Sequence, residues 1–306
     1  MTEFVTICEV GPRDGLQMAK TIMATPTKIA WIHALAASGL REIEVGSFVP
    51  AKLLPQMADT DAVVRATVTI PNLTIVALAP NLRGAQAAIA AGAHRISVPV
   101  SISEGHSRAN LNRSPDEQVA EIARIVAWLQ SENHPAELEV ACSTAFGCSF
   151  DGVIPHPQVL RIVTALAQAG VTSLGLADTV GYANPDAIKS LVRAVRAEIG
   201  PVLHGLHLHD TMGLGLANAL AGLEAGIRDF DAALAGLGGC PFAPGASGNI
   251  VTEDLVFMIE SMGLRTGIDL PALIEARKIL HQGLPAETLH GQVAKAGIPR
   301  TFRAAA

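Results

Sequence analysis

A chain of 306 residues is long enough to bury a full core as one domain, and single domains of that size are largely α/β barrels. Its apolar fraction of 49% includes only 4% aromatics, so Ala, Val, Leu and Ile fill the interior, as they do in parallel sheets covered by helices. The net charge of −6 is spread along the sequence, with no basic block to follow a phosphate backbone and no run of about twenty apolar residues to cross a bilayer, which argues against nucleic-acid and membrane partners.

The first Val/Ile-rich run, 4–10, reads as a strand leading into Arg13-Asp14, and helical periodicity follows over 27–37. A second strand at 41–47 carries Glu44 and Ser47, and a third at 73–79 precedes a helix over 81–91. A fourth at 95–101 runs into Ser103-Glu104-Gly105-His106 and Asn110 before a helix over 114–130. The fifth, 138–144, contains Glu139 and Ala141 and is followed by a helix over 158–169; the sixth, 171–178, contains Gly175, ends on Asp178 and precedes a helix over 184–198. The seventh, 203–209, carries His207-Leu208-His209, and the eighth, 229–236, opens into a glycine-rich stretch from Gly236 to Asn249 that includes Cys240. Helices over about 252–261 and 270–283 and a Gly/Pro-containing tail, taken as mobile, complete the chain.

Eight βα units of this size predict a (β/α)8 TIM barrel. It is read as a single domain over 1–306, with a glycine-rich lid loop after the eighth strand and a C-terminal helical extension over 265–306. Repeated helix endings support one recurring unit: Ser38-Gly39, Ala91-Gly92, Ala169-Gly170 and Ala225-Gly226 each place glycine where a left-handed C-cap is wanted. Barrel chemistry sits on the loops after the strand C-terminal ends, and Arg13-Asp14, Glu44, Ser47, Asp178, His207 and His209 all fall there. Four cysteines without a CxxC pair, and a start that enters a strand without a charged-then-apolar leader, read as a reducing, cytoplasmic setting.

Residues two apart on a strand point to one side, so His207 and His209 face together while Leu208 faces away. Two core imidazoles satisfied by hydrogen bonds would be the ordinary reading. With Asp14 adding a hard oxygen at the same barrel end, an ion held by two imidazoles and a carboxylate, with positions left open, is the reading adopted. Such a centre polarises an oxygen-rich substrate. Arg13 reads as a fork that steadies negative charge on a substrate oxygen, and Glu44 as a buried partner that orients Arg13 or the metal water. Asp178 reads as an anchor of the metal shell or a proton-transfer group, and Asp210 as an outer partner or helix cap. Cys240 is either a small gap-filler or a thiol delivered to bound substrate when the loop closes. His106 is placed where a substrate or cofactor could reach it, whereas His33, His94, His134, His156, His281 and His290 lack partner spacing and read as surface residues.

Glu9-Val10-Gly11-Pro12-Arg13-Asp14-Gly15-Leu16-Gln17, Pro80-Asn81-Leu82, His207-Leu208-His209-Asp210-Thr211 and the glycine loop with Thr252-Glu253-Asp254 together resemble 3-hydroxy-3-methylglutaryl-CoA lyase, over residues 4–265. The Arg-Asp start is shared with the wider barrel family of isopropylmalate synthase, homocitrate synthase and carboxyltransferases. The resemblance implies retro-Claisen cleavage of a CoA thioester assisted by Mg²⁺ or Mn²⁺, with Asp14, His207, His209 and Asn249 as ligands, in a homodimer. It further implies Cys240 as catalytic thiol, Arg13 steadying the thioester enolate, and Glu44 and Asp178 in support; the base that takes the hydroxyl proton stays open.

Ser47, His106, Asn110, Glu139, Ala141 and Gly175 are expected along the substrate pocket, where the chain departs from the family pattern. Glu139-Val140-Ala141 stands where the family has Arg-Gly-Tyr, Gly175 where it has Ser, and His106 and Met212 where it has aromatics. Reversing a charge beside a carboxylate-binding pocket is worth several kcal/mol, roughly a thousandfold in binding. A citramalyl-type thioester, or a 3-hydroxyglutaryl-CoA with a longer 3-substituent, is therefore an alternative substrate. A Claisen-condensing enzyme is opposed by Cys240 in its glycine loop, and a catalytically silent acyl-CoA-binding protein by the pairing of Arg13 with Cys240.

Overall fold

In the computed structural model, which describes residues 3–239 and 248–305, eight parallel strands close into a barrel in chain order. They are β1 (Thr6–Glu9), β2 (Glu42–Ser47), β3 (Thr74–Leu78), β4 (Arg95–Ser101), β5 (Glu137–Ser143), β6 (Ser173–Asp178), β7 (Leu203–Leu208) and β8 (Asp229–Ala232). Closure comes from β8 pairing with β1 along Thr6 to Glu9. The outer helices are α1 (Thr25–Ala37), α2 (Thr60–Thr67), α3 (Leu82–Ala91), α4 (Glu104–Leu111), α5 (Pro115–Ser131), α6 (His156–Gln168), α7 (Pro185–Ile199) and α8 (Gly215–Glu224), followed by α9 (Thr252–Ser261), α10 (Leu270–Gly283) and α11 (Gln292–Ala296). This is the TIM barrel that the eight repeats predict.

Alternation sorts the strand side chains into two faces. On β4, Ile96, Val98 and Val100 are fully buried against the helices, while Ser97 and Pro99 line the barrel interior. The apolar core therefore lies between sheet and helices, and the interior of the barrel is free to be polar. Helix starts follow capping chemistry: the Ser114 hydroxyl and Glu117 carboxylate form a reciprocal box at α5, and Asn81, Asn184 and Asp269 accept from the first turns of α3, α7 and α10.

Three helices escape the periodicity reading, and of a fourth, α8, only the Ala225-Gly226 ending is anticipated. In α2 the β-branched Thr60, Val63, Val64 and Thr67 depress helix propensity. In α8 the internal Gly222 breaks the pattern, because a Cβ there would meet Leu206 and Phe230. The short α4 and α11 carry too few turns to show a period. The eighth strand stops at Ala232, four residues sooner than expected, where Leu234–Gly236 turn with Ala235 at φ 62°. The tail carries α11, with Gln292 and Val293 amides donating to Asp254 and the Ala305 amide to Glu260.

Candidate active site

β1 ends at Glu9, and the chain winds into a π-helical turn over Gly11–Gly15 in which the Arg13, Asp14 and Gly15 amides all donate to the Val10 carbonyl. Gly15 is required by contact, since a Cβ there would lie 2.7 Å from Leu237 Cβ. The turn thus lies flat against the exit of β8 and aims Asp14 into the barrel mouth. From β7, His207 and His209 face the same way with Nε2 atoms 3.0 Å apart, while Leu208 is fully buried on the opposite face. One ligand atom each from Asp14, His207 and His209 lies within 4.8 Å of the others.

Asn249 completes the group. Its segment returns antiparallel to His209, its amide nitrogen donates to Asp14 Oδ2 at 2.7 Å and to the Leu237 carbonyl at 3.0 Å, and its buried Oδ1 has no partner among the described residues. These residues fit a divalent cation. An ion with donors at about 2.1 Å in adjacent octahedral positions sets them about 3.0 Å apart, the separation of the two imidazole nitrogens. A mixed nitrogen and oxygen set suits a divalent cation.

Electrostatics favour the ligating forms of Asp14 and His209. Burial acts to raise the Asp14 carboxyl, but Arg13, both imidazoles and the Asn249 amide outweigh it and bring it down to about 2. Burial, with His207 beside it, lowers His209 to about 4, leaving it neutral. Burial opposes charge on His207 as well, but Asp231, whose carboxylate lies 3.0 Å from Nδ1, raises it. That carboxylate orients the ring so that Nε2 points at the ligand position. Asp231 escaped the sequence reading; its signal is register, since it pairs directly with His207 across β7 and β8.

Arg13 is held by two carboxylates, through Nε to Glu44 at 2.6 Å and through Nη1 to Asp14 at 2.5 Å. Burial raises Glu44 against the opposing pull of Arg13, and its Oε1 has no partner among the described residues. Over this group opens a cavity of about 680 Å³, lined by Arg13, Asp14, Glu44, Ser47, His106, Asn110, Glu139, Ala141, His207 and His209 among others.

The remaining expected positions divide. Glu139 and Ala141 form part of the cavity floor and are shared with a cavity of about 20 Å³ beneath it, which is the one that Gly175 lines. Burial, with Asp231 adding to it, pushes Glu139 up to about 8, and Arg95 lies 3.7 Å away while also binding Glu42 and Glu137. His106 sits with Nδ1 2.7 Å from Ser101 Oγ, and burial lowers it to about 4. Asp178 is not on the wall of the main cavity: its two oxygens accept from the Tyr182 and Ala183 amides and tie down the loop before α7. Asp210 accepts from the Gly215 amide at the start of α8. Cys240 lies outside the described residues.

Comparison with known proteins points the same way. The HMGL-like family model matches residues 4–280. The cytoplasmic 3-hydroxy-3-methylglutaryl-CoA lyase of Rattus norvegicus is 41% identical over 296 residues, 97% of this chain and 85% of the relative. A hydroxymethylglutaryl-CoA lyase of Bacillus subtilis is 40% identical over 295 residues, 95% of this chain and 97% of the relative. The solved structure of an HMG-CoA lyase from Acinetobacter baumannii, in complex with coenzyme A and 3-methylmalate, superposes with a TM-score of 0.92 at 41% identity, covering 98% of this chain and 97% of that one.

Proposed function

The chain belongs to the HMGL-like family, and on that footing we propose that it cleaves 3-hydroxy-3-methylglutaryl-CoA to acetyl-CoA and acetoacetate by a divalent-metal-dependent retro-Claisen reaction. The observation that carries this reading is the convergence of Asp14, His207 and His209 on one point of the cavity wall, with Arg13 alongside. Asp14, His207, His209 and Asn249 would hold Mg²⁺ or Mn²⁺. A divalent ion there supplies positive charge that lowers the pKa of the substrate's C3 hydroxyl.

Loss of the hydroxyl proton turns C3 into a ketone. The C2–C3 bonding pair moves toward the thioester carbonyl, leaving the enolate of acetyl-CoA, and a proton returns to C2. Arg13, fixed by Glu44, presents a guanidinium to the developing enolate oxygen. Cys240 is proposed as the thiol that delivers the proton to C2. Ser47, His106 and Asn110 line the cavity where the acyl and thioester portions would lie.

A second reading is favoured by the cavity floor. Glu139 and Ala141 there, with Gly175 beneath, stand where the family pattern has Arg, Tyr and Ser, a changed floor that suits a different 3-hydroxyacyl-CoA such as citramalyl-CoA. Relatives include both cytoplasmic and mitochondrial enzymes, and among the described residues no helix is long and apolar enough to cross a membrane. A cytoplasmic homodimer is part of the proposal, to be read by fractionation and size-exclusion chromatography. The deciding experiment follows acetyl-CoA release from hydroxymethylglutaryl-CoA and citramalyl-CoA side by side, with Mg²⁺ and with Cys240→Ala as control. Cleavage of the first substrate, abolished in the variant, supports the primary reading; preference for the second supports the alternative, and release from neither refutes both.

A further inference from the structure

Glu9 closes β1 and is fully buried, yet it neither lines the cavity nor belongs to the ligand group. Its Oε1 accepts from the Gly11 amide at 2.9 Å and the Leu234 amide at 2.8 Å, and its Oε2 pairs with the Thr252 hydroxyl at 2.6 Å. Those three partners belong to three separate segments of the site. Gly11 opens the turn that carries Asp14, Leu234 opens the turn leaving β8 toward the glycine loop, and Thr252 starts α9 just after Asn249.

The fit is close. A Cβ on Gly11 would stand 2.4 Å from Glu9 Oε1, so the glycine of the opening motif exists to admit this carboxyl. The Thr252 amide donates to the Ala233 carbonyl and the Ala233 amide to the Ile250 carbonyl, so a pull on Thr252 is transmitted along the strand end that bears Asn249. We propose that Glu9 is a positioning residue of the metal centre, joining through Gly11, Leu234 and Thr252 the segments that bring Asp14 and Asn249, 235 positions apart in sequence, to 2.7 Å. The inference rests on reading Asp14 and Asn249 as ligands. Glutamine can replace Glu9 with the same shape, since its oxygen accepts both amides and its NH₂ donates to a Thr252 hydroxyl that rotates to accept.

The test is Mn²⁺ affinity by calorimetry on the full chain without thioester, alongside the thermal midpoint. Glu9→Ala is expected to weaken Mn²⁺ binding by about 10- to 100-fold, and Glu9→Gln to restore it to within about threefold of wild type. Thr252→Val, which removes one arm only, serves if Glu9→Ala does not fold, and is expected to weaken binding by about tenfold. A variant that loses thermal stability but binds Mn²⁺ as wild type does overturns the inference, as does a glutamine variant no better than alanine. Wild-type protein that binds no Mn²⁺ would instead overturn the ligand reading beneath it.

Discussion

Replacing Glu9 by glutamine also tests the protonation state of that carboxyl. Burial pushes Glu9 up to about 8, with Glu253 adding to the rise, while hydrogen bonds from Thr252, Leu234 and Gly11 work the other way without winning. In the unfolded chain the same group titrates near its ordinary 4.5. A raised carboxyl contributes stability that is complete below the unfolded value and is lost as pH climbs through the folded one, because the unfolded chain releases a proton that the folded chain keeps. At about 1.4 kcal/mol per pH unit, the gap from 4.5 to 8 comes to ~5 kcal/mol. Glutamine never ionises, so the variant should gain on wild type steadily from pH 5 to pH 8. With about 2–4 °C of thermal midpoint per kcal/mol for a chain of this size class, the gain is of the order of 10 °C. Thermal melts at several pH values in matched ionic strength, with chelator present to remove metal linkage, read it directly. A difference between variant and wild type that stays constant across that pH range refutes a neutral Glu9.

Three further substitutions separate the ligand group from its supports. Asp231→Ala removes the carboxylate 3.0 Å from His207 Nδ1 and is expected to weaken Mn²⁺ binding by about 10- to 100-fold in titration calorimetry. Gly15→Ala forces a Cβ to within 2.7 Å of Leu237 Cβ; such overpacking costs about 1–3 kcal/mol, seen in the thermal midpoint, and the displaced turn should lower Mn²⁺ affinity as well. Asp178→Asn turns an NH₂ toward one of two backbone amides that now donate to it, destabilising the fold by about 1–3 kcal/mol while leaving Mn²⁺ affinity unchanged. A large affinity loss there would return Asp178 to the metal shell.

Much of this could be read from residue order. Strand alternation placed His207 and His209 together and Leu208 apart, and the repeated βα unit gave the barrel, because both depend on local period alone. What stayed hidden depends on partners distant in sequence. Asp231 acquires meaning only through its register opposite His207, and Glu9 only through donors at 11, 234 and 252. Asp178 looked like a site residue because it ends a strand at the barrel mouth. The amides of the following loop also donate to each of its oxygens, an Asx-type use that sequence position does not reveal and that leaves further acceptor sites on both.

The distribution of charge shows how this barrel could accept a divalent cation. At the ligand end of the cavity Arg13 stands among three carboxyls, Asp14, Glu44 and Asp231, and both Asp231 and Asp14 act to raise Glu44. The two imidazoles offset part of this, His207 against Asp231 and both against Asp14, and a divalent ion in place of their charge would balance the group with both rings neutral. Carboxyls this close repel one another in a poorly screened interior. The closed ring of strands resists that repulsion because its apolar packing lies on the other face, where Ile96, Val98 and Val100 meet the helices fully shielded from water. Stability is thus assigned to the outer face and chemistry to the inner one. The inner face can then carry a charge arrangement that would be unfavourable by itself and becomes complementary to an ion and an anionic transition state.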